Sequence, residues 1–355
     1  MISLYIGSTS GYSGKSLVCL GLGNRFAQDG YRLSYMKPIG KPTAQVGETI
    51  TDEDAVFIAK ALSLSDPLET ICPIVVTQDM IVQAYQNKTE GLEGRLINAH
   101  QKLSQHRDIV LIGGGSDLYE GAFLGLSGLY IVKRLLDAKV ILIDRFTNEV
   151  CVDCILGIKE SLGDRLCGVI LNRVVPERID YVQRRIIPFL STRGIDTFGI
   201  IPYDQLLNAV TVKELSEALG AEIICCHDQV DELVENYVIG AMTVDRALKY
   251  FRQKKNKAVI TGGDRPEIQL AALETSTKCI ILTGNLYPSE LILVQAEEHH
   301  VPVMVAKDDT QATVEKVERI FGRIRVRDQR KVARALELID QCIDFPTLYR
   351  KIGLA

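Results

Sequence analysis

The strongest chemical signal is the run Ser8, Thr9, Ser10, Gly11, Tyr12, Ser13, Gly14, Lys15, Ser16. Small residues and glycines let a backbone curl with its N–H groups pointing inward, which suits phosphate oxygens. Lys15 supplies a point charge for the terminal phosphates of a nucleotide, and the Ser16 hydroxyl is placed for Mg2+. An apolar run precedes the loop and a helix-patterned stretch follows it, so bound phosphate would also meet a helix N-terminus. One position departs from the strict G-x-x-x-x-G-K-S pattern, since Thr9 stands where the first glycine belongs. The plainer alternative is a Gly/Ser-rich turn carrying a chance Gly-Lys-Ser.

A second cluster lies far along the chain. Gly262 and Gly263 end an apolar run and lead into Asp264 and Arg265, and Thr283-Gly284 closes the next apolar run. In open α/β sheets, ligands bind beyond the carboxyl ends of strands. Arg265 offers a fork for phosphate or carboxylate, and Asp264 an acceptor for a ribose hydroxyl. A structural ion pair within a turn explains the same two residues, and both readings stand. Cys151 and Cys154 have C-x-x-C spacing but no second pair or nearby histidine, so they read as helix cysteines rather than a metal or redox site. The five histidines show no metal-ligand spacing, and no G-x-S-x-G elbow is present.

These residues need elements to hold them. Over the first 200 residues, apolar runs such as ISLYIGS, RLSYMKPI, DIVLIGGG, KVILIDRF, LCGVILNRV and DTFGIIP alternate with helix-patterned stretches. Near-continuous apolar runs suit strands buried on both faces of a parallel sheet. The expectation is a doubly wound, mostly parallel α/β domain over residues 1–204. A second, smaller α/β domain follows over 205–322, and a charged helical tail, basic at RIRVRDQRK, over 323–355. Lys and Arg number 41 against 45 Asp and Glu, a formal charge of −4, which offers no basic surplus for nucleic acid. An apolar run of about 18 residues, as a membrane span needs, is absent. Neither a leader peptide nor a span is visible, so the expected location is the cytoplasm, and the nine scattered cysteines suit a reducing compartment.

The loop resembles that of the dethiobiotin synthetase and cobyrinic acid a,c-diamide synthase branch of P-loop proteins. Lys37-Pro38-Ile39 is similar to that family's KPV, Asp52-Glu53-Asp54 to its acidic segment, Leu171-Asn172-Arg173 to its base-reading strand end, and Phe198-Gly199-Ile200-Ile201-Pro202-Tyr203 to its LGEIP. The resemblance implies that Lys37 contacts the γ-phosphate and serves catalysis beside Lys15. It further implies that Asp54, ahead of Asp52, joins Ser16 in binding Mg2+, and that Asn172, Arg173 and Pro202 lie near the base. Residues 237–242, Ile260 to Arg265 and Leu282 to Gly284 resemble the DRTGG domain. A dethiobiotin-synthetase-like domain followed by a DRTGG domain is similar to the N-terminal region of long phosphotransacetylases.

The resemblance breaks at one place. Where the family's third strand ends in an acidic metal ligand, this chain reads Leu111-Ile112-Gly113-Gly114-Gly115, with Asp117 and Glu120 a few residues on. A Gly113→Glu change would, on that reading, restore the ligand and raise turnover. The implied function is an ATP-binding, Mg2+-dependent regulatory protein, at most a slow ATPase, modulating acetyl-phosphate and acetyl-CoA metabolism without an acetyl-transfer domain. Its implied partners are a nucleotide, a small anionic ligand in the second domain and a phosphotransacetylase subunit, with a homo-oligomer also open. The alternative is an ATP-dependent ligase or amidoligase of the dethiobiotin and cobyrinate type.

Overall fold

The computed structural model describes residues 1–321 and 329–354. The chain divides into two compact units, Met1–Tyr203 with Val326–Ala355, and Asp204–Arg325.

In the first unit the apolar runs become strands β1 (Ile2–Ser8), β2 (Leu33–Met36), β3 (Ile109–Gly113), β4 (Lys139–Arg145), β5 (Leu166–Val174) and β6 (Thr197–Pro202). They form one sheet, in the order β6-β5-β4-β1-β3-β2, with every neighbouring pair parallel. All nine residues of β5 are buried, as a strand covered on both faces requires. From β1 the chain crosses over to β2 and returns to β3, then moves to the other side of β1 for β4. That reversal opens a crevice at the carboxyl ends of the central strands, and the loop after β1 opens into it. Helix α1 (Lys15–Gln28) follows that loop, α2 (Glu53–Ala61) is capped by Asp52, and α3 (Val152–Leu162) begins beside Cys151.

The second unit is a smaller sheet of β7 (Glu222–Ile223), β8 (Asn236–Ile239), β9 (Lys257–Gly262), β10 (Thr277–Thr283) and β11 (Val303–Val305). Its order is β7-β11-β10-β9-β8, parallel except for β7 on β11. Because β8 to β11 add in sequence, right-handed crossovers send their helices to one face. The crossover helices α5 (Val244–Gln253), α6 (Pro266–Leu273) and α7 (Glu290–Glu298) obey this rule, whereas α4 (Val212–Leu219) precedes these strands and α8 (Thr310–Phe321) follows them. Phe251, Ile268 and Ala296 of α5, α6 and α7 share one core with Val259, Ile280 and Leu282. Leu215 and Val317 of α4 and α8 pack on the opposite face against Ala258, Ile260 and Ile281. The α/β class expected from the alternating runs is what both units show.

The stretch set apart as a charged tail contributes helices α9 (Gln329–Cys342) and α10 (Phe345–Ile352) to the first unit. Ile339 of α9 packs on α1 at Gly21, where an added Cβ would come 2.7 Å from the Ile339 Cβ. A glycine inside a helix costs about 1 kcal/mol, and this close approach is what it permits. Asp344 donates its N–H to the Phe198 carbonyl at 2.8 Å, and the Tyr349 ring packs tilted against Phe26 and edge-on against Tyr31. The basic residues at 323–327 lie outside the described residues; Arg330 is exposed, whereas Lys331 is buried.

Candidate functional site

Strands on three sides brace the loop after β1. Gly14, at φ 94°, turns the chain into α1. Thr9 donates its N–H to Ile143 at 3.2 Å and its hydroxyl to Asp144 Oδ1 at 2.5 Å, both at the end of β4. Asn172, near the end of β5, donates from Nδ2 to the Ser13 carbonyl at 2.7 Å. Past β3, the Ser116 carbonyl lies 2.7 Å from the Ser8 hydroxyl and accepts from Lys15 Nζ at 3.2 Å. Lys15 Nζ also donates to Ser8 Oγ at 2.7 Å. Ser10 and Ser13 bond within the loop, Ser13 Oγ donating to the Ser10 carbonyl, while Tyr12 is exposed with φ 57°. Ser16 is half-buried in the first turn of α1.

Lys15 and Lys37 share one electrostatic neighbourhood. Burial, and then the charge of Lys37, pulls the Lys15 ammonium down to about 8. Lys37 Nζ donates to the Gly114 carbonyl at 3.1 Å and lies 3.9 Å from Asp54 Oδ2. Burial works against its charge, but the Asp52 and Asp54 carboxylates outweigh that and hold the Lys37 ammonium above its ordinary range. Asp52 spends its oxygens on the N–H groups of Asp54, Ala55 and Lys41, leaving Asp54, partly exposed, as the carboxylate facing Lys37.

Gly113 ends β3, and the space beside it belongs to Tyr35. A Cβ at Gly113 would collide with the Tyr35 hydroxyl and stand 3.0 Å from its Cζ. The Tyr5 ring closes off Gly114 in the same way, at 2.8 Å. A glutamate at 113 therefore has no room while Tyr35 keeps its place, so a metal ligand at that position requires the Tyr35 ring to move. Asp117 caps a turn, accepting from the N–H groups of Tyr119 and Glu120, and Glu120 accepts from the Ser116 N–H and hydroxyl.

The residues expected near the base come together at the carboxyl ends of β5 and β6. Tyr203, next to Pro202, donates its N–H to the Val174 carbonyl at 2.8 Å. Arg173, at φ 60°, holds its guanidinium 6.0 Å from the Tyr203 ring, and burial, then Arg145, pulls it down to about 10. Asn172 is buried with both ends of its amide engaged, Oδ1 accepting from the Arg173 N–H at 2.8 Å. Its side chain supports the loop. Asp144, on β4, is the residue bracing the loop that sequence reasoning passed over, although an acidic residue ending the apolar run KVILI was the available signal. It is buried, its Oδ2 has no hydrogen-bond partner among the described residues, and burial raises it above the usual carboxylate range despite the Thr9 hydrogen bond. Among the described residues no cluster of three metal-ligating side chains occurs, and burial with the nearby Asp144 pushes the Cys151 thiol up to about 12.

In the second unit, Arg265 turns its fork on its own chain: Nη1 donates to the Gly240 carbonyl at 3.2 Å, Nη2 to Met242 at 3.0 Å and Nε to Glu267 at 3.3 Å. Gly263 permits the Leu286 backbone to approach, a Cβ there standing 2.5 Å from the Leu286 carbonyl carbon. Gln269 Nε2 holds the Gly262 and Gly263 carbonyls. The Thr283 hydroxyl is 2.8 Å from that of Thr310, and Gly284, at φ 76°, donates to the Asp308 carbonyl. Asp264 is exposed at the bend.

An AAA domain matches residues 3–211 and a DRTGG domain residues 214–320. The chain is 24% identical over 372 residues to a phosphate acetyltransferase of Synechocystis sp., covering 96% of this chain and 50% of that protein. The phosphate acetyltransferase of Nitratidesulfovibrio vulgaris is 24% identical over 361 residues, again covering 96% and 50%. The chain spans about half the length of these curated relatives, and the part it matches is their N-terminal half. In shape it is similar, at a TM-score of 0.35 and 13% identity, to cobyrinic acid a,c-diamide synthase from Mycobacterium smegmatis with bound ADP and magnesium, over 58% of this chain and 88% of that one. Among the described residues no helix is long and apolar enough to cross a membrane.

Proposed function

This chain belongs to the AAA domain family, and from that premise we propose that its first unit binds ATP with Mg2+ on the loop from Ser8 to Ser16. The observation that carries the proposal is the pairing of Lys15 with Lys37. A half-buried ammonium pulled down to about 8 beside a second lysine is an arrangement that a polyphosphate relieves. The N-terminus of α1 adds to the attraction. Lys15 and Lys37 would meet the terminal phosphates, and Arg173 and Pro202 would flank the base.

Ser16 and Asp54 would hold Mg2+. One hydroxyl and one carboxylate suit that ion, which keeps several waters and takes its other ligands from phosphate. Bound there, it would neutralise phosphate charge. Tyr35 occupies the space beside Gly113, so the second carboxylate of the related ligases has no counterpart on β3, and turnover would be slow. That favours a nucleotide-responsive regulator over an ATP-dependent ligase or amidoligase. By its likeness to the N-terminal half of phosphate acetyltransferases, the regulated process would be acetyl-phosphate and acetyl-CoA metabolism, with a phosphotransacetylase as the partner. The test is a phosphate acetyltransferase assay with this protein added, with and without Mg-ATP. The expected result is a rate change that depends on ATP and disappears with Lys15→Ala. No rate change, together with rapid ATP consumption in the presence of a diamine and bicarbonate, would favour the ligase.

A further inference from the structure

The second unit holds a pocket of about 200 Å³ at the carboxyl ends of β8 and β9, whose walls include Gly240, Thr261, Gly262, Asp264, Arg265 and Thr310. The residues around its floor divide into those the fold already employs and one it does not. Arg265 clamps the exit of β8 to the start of α6 through the Gly240 and Met242 carbonyls, and Glu267 balances its charge. Thr261 donates to the Gly240 carbonyl at 3.3 Å, and Thr310 pairs with Thr283. Gly240 leaves room for Ile268, whose Cγ2 would lie 2.6 Å from an added Cβ. Asp264 folds back over Gly262, where its carboxylate would block a Cβ, and among the described residues it makes no hydrogen bond or ion pair.

An unpaired carboxylate beside an arginine whose fork is occupied favours a ligand that brings donors over a bare anion. The topology narrows the choice. Gly240 follows the end of β8, α5 crosses over, and β9 lies parallel beside β8, with Asp264 two residues past its end at Gly262. In dinucleotide-binding βαβ units the acidic residue ending the second strand accepts from ribose hydroxyls. The further glycines that cradle a pyrophosphate are missing, because Ala241, Met242 and Thr243 follow Gly240.

We infer that this pocket binds the ribosyl group of a nucleoside or nucleotide, with Asp264 accepting from its vicinal hydroxyls. The site lies wholly within the second unit and does not depend on phosphate binding at Lys15. The test is calorimetric titration of the full chain, and of its D264N variant, with adenosine, 2′-deoxyadenosine and inorganic phosphate. Hydrogen exchange read over residues 238–243 and 260–266 locates any binding. Adenosine has no phosphate for the loop after β1, so the outcome stands apart from the first unit's function. The expected result is adenosine binding with protection of those segments, weakened at least tenfold in D264N, and at least tenfold weaker binding of 2′-deoxyadenosine. Unchanged melting of the variant would show that the exposed side chain is not needed for folding. Absent adenosine binding, equal binding by D264N, or protection by inorganic phosphate in place of adenosine would overturn the assignment.

Discussion

The Tyr35 hydroxyl stands in the space that a side chain on Gly113 would enter. Tyr35 comes from β2 and Gly113 from the end of β3, so an aromatic side chain from one strand fills the side-chain space at the end of its parallel neighbour.

The relationship predicts a stability effect. Gly113→Ala forces a methyl group against Tyr35, and overpacking of this kind costs about 1–3 kcal/mol. Replacing Tyr35 by phenylalanine in the same chain removes the nearest atom and should recover most of the loss. Urea unfolding of the single and double variants checks it; a Gly113→Ala chain as stable as the parent would contradict it.

The Thr9–Asp144 hydrogen bond predicts coupling. Asp144→Ala and Thr9→Val should each weaken ATP binding by about tenfold, the order of one charge-assisted hydrogen bond. The double variant should lose no more than either alone. Asp144→Asn keeps an acceptor for the Thr9 hydroxyl and should restore most of the affinity. Additive losses in calorimetry would mean that the two residues act separately.

Gly21 and Ile339 predict how the C-terminal helices are held. A methyl group at position 21 meets Ile339 at distances that real side chains do not adopt. Gly21→Ala should therefore loosen α9 and α10 and raise proteolysis near residues 329–354, while adding Ile339→Ala should reverse the effect. Equal protease resistance in all three chains would show that the helix shifts without cost.

Lys257 predicts a pH profile. Its ammonium is buried at the start of β9, donating to Thr275 Oγ1 and the Ser276 carbonyl at 2.9 Å, and burial pulls it down to about 8. In the unfolded chain a lysine titrates near about 10.4. Between about 8 and 10.4 the unfolded chain therefore binds more protons, and stability rises with pH across that window. Below about 8 the cost of the buried charge is present in full. Lys257→Met should remove this contribution, so melting temperatures of parent and variant should converge as pH rises from 8 to 10. A constant difference across that range would show that Lys257 does not titrate there.

Much of this was legible in the sequence, for physical reasons. Strands such as LCGVILNRV announce burial on both faces, and the loop from Ser8 to Ser16 carries its chemistry in consecutive residues. Lys37 and Asp54 were reached only through the resemblance of Lys37-Pro38-Ile39 and Asp52-Glu53-Asp54 to the family's motifs. What escaped depends on contacts between distant segments. Nothing near Gly113 says that Tyr35 fills its side-chain space, and nothing in α9 says that Gly21 receives Ile339. Arg265 looked like a fork open to an anion because the carbonyls of Gly240 and Met242 that occupy it are invisible in a string of residues.

Whether the loop from Ser8 to Ser16 holds a nucleotide is decided by calorimetric titration of the full chain with Mg-ATP, beside its Lys15→Ala variant. Saturable binding by the parent and a loss of at least a hundredfold in the variant with melting unchanged are expected, since Lys15 is the loop's own side-chain cation. Binding by Lys15→Ala within twofold of the parent, or no binding by the parent, would contradict nucleotide binding by the loop.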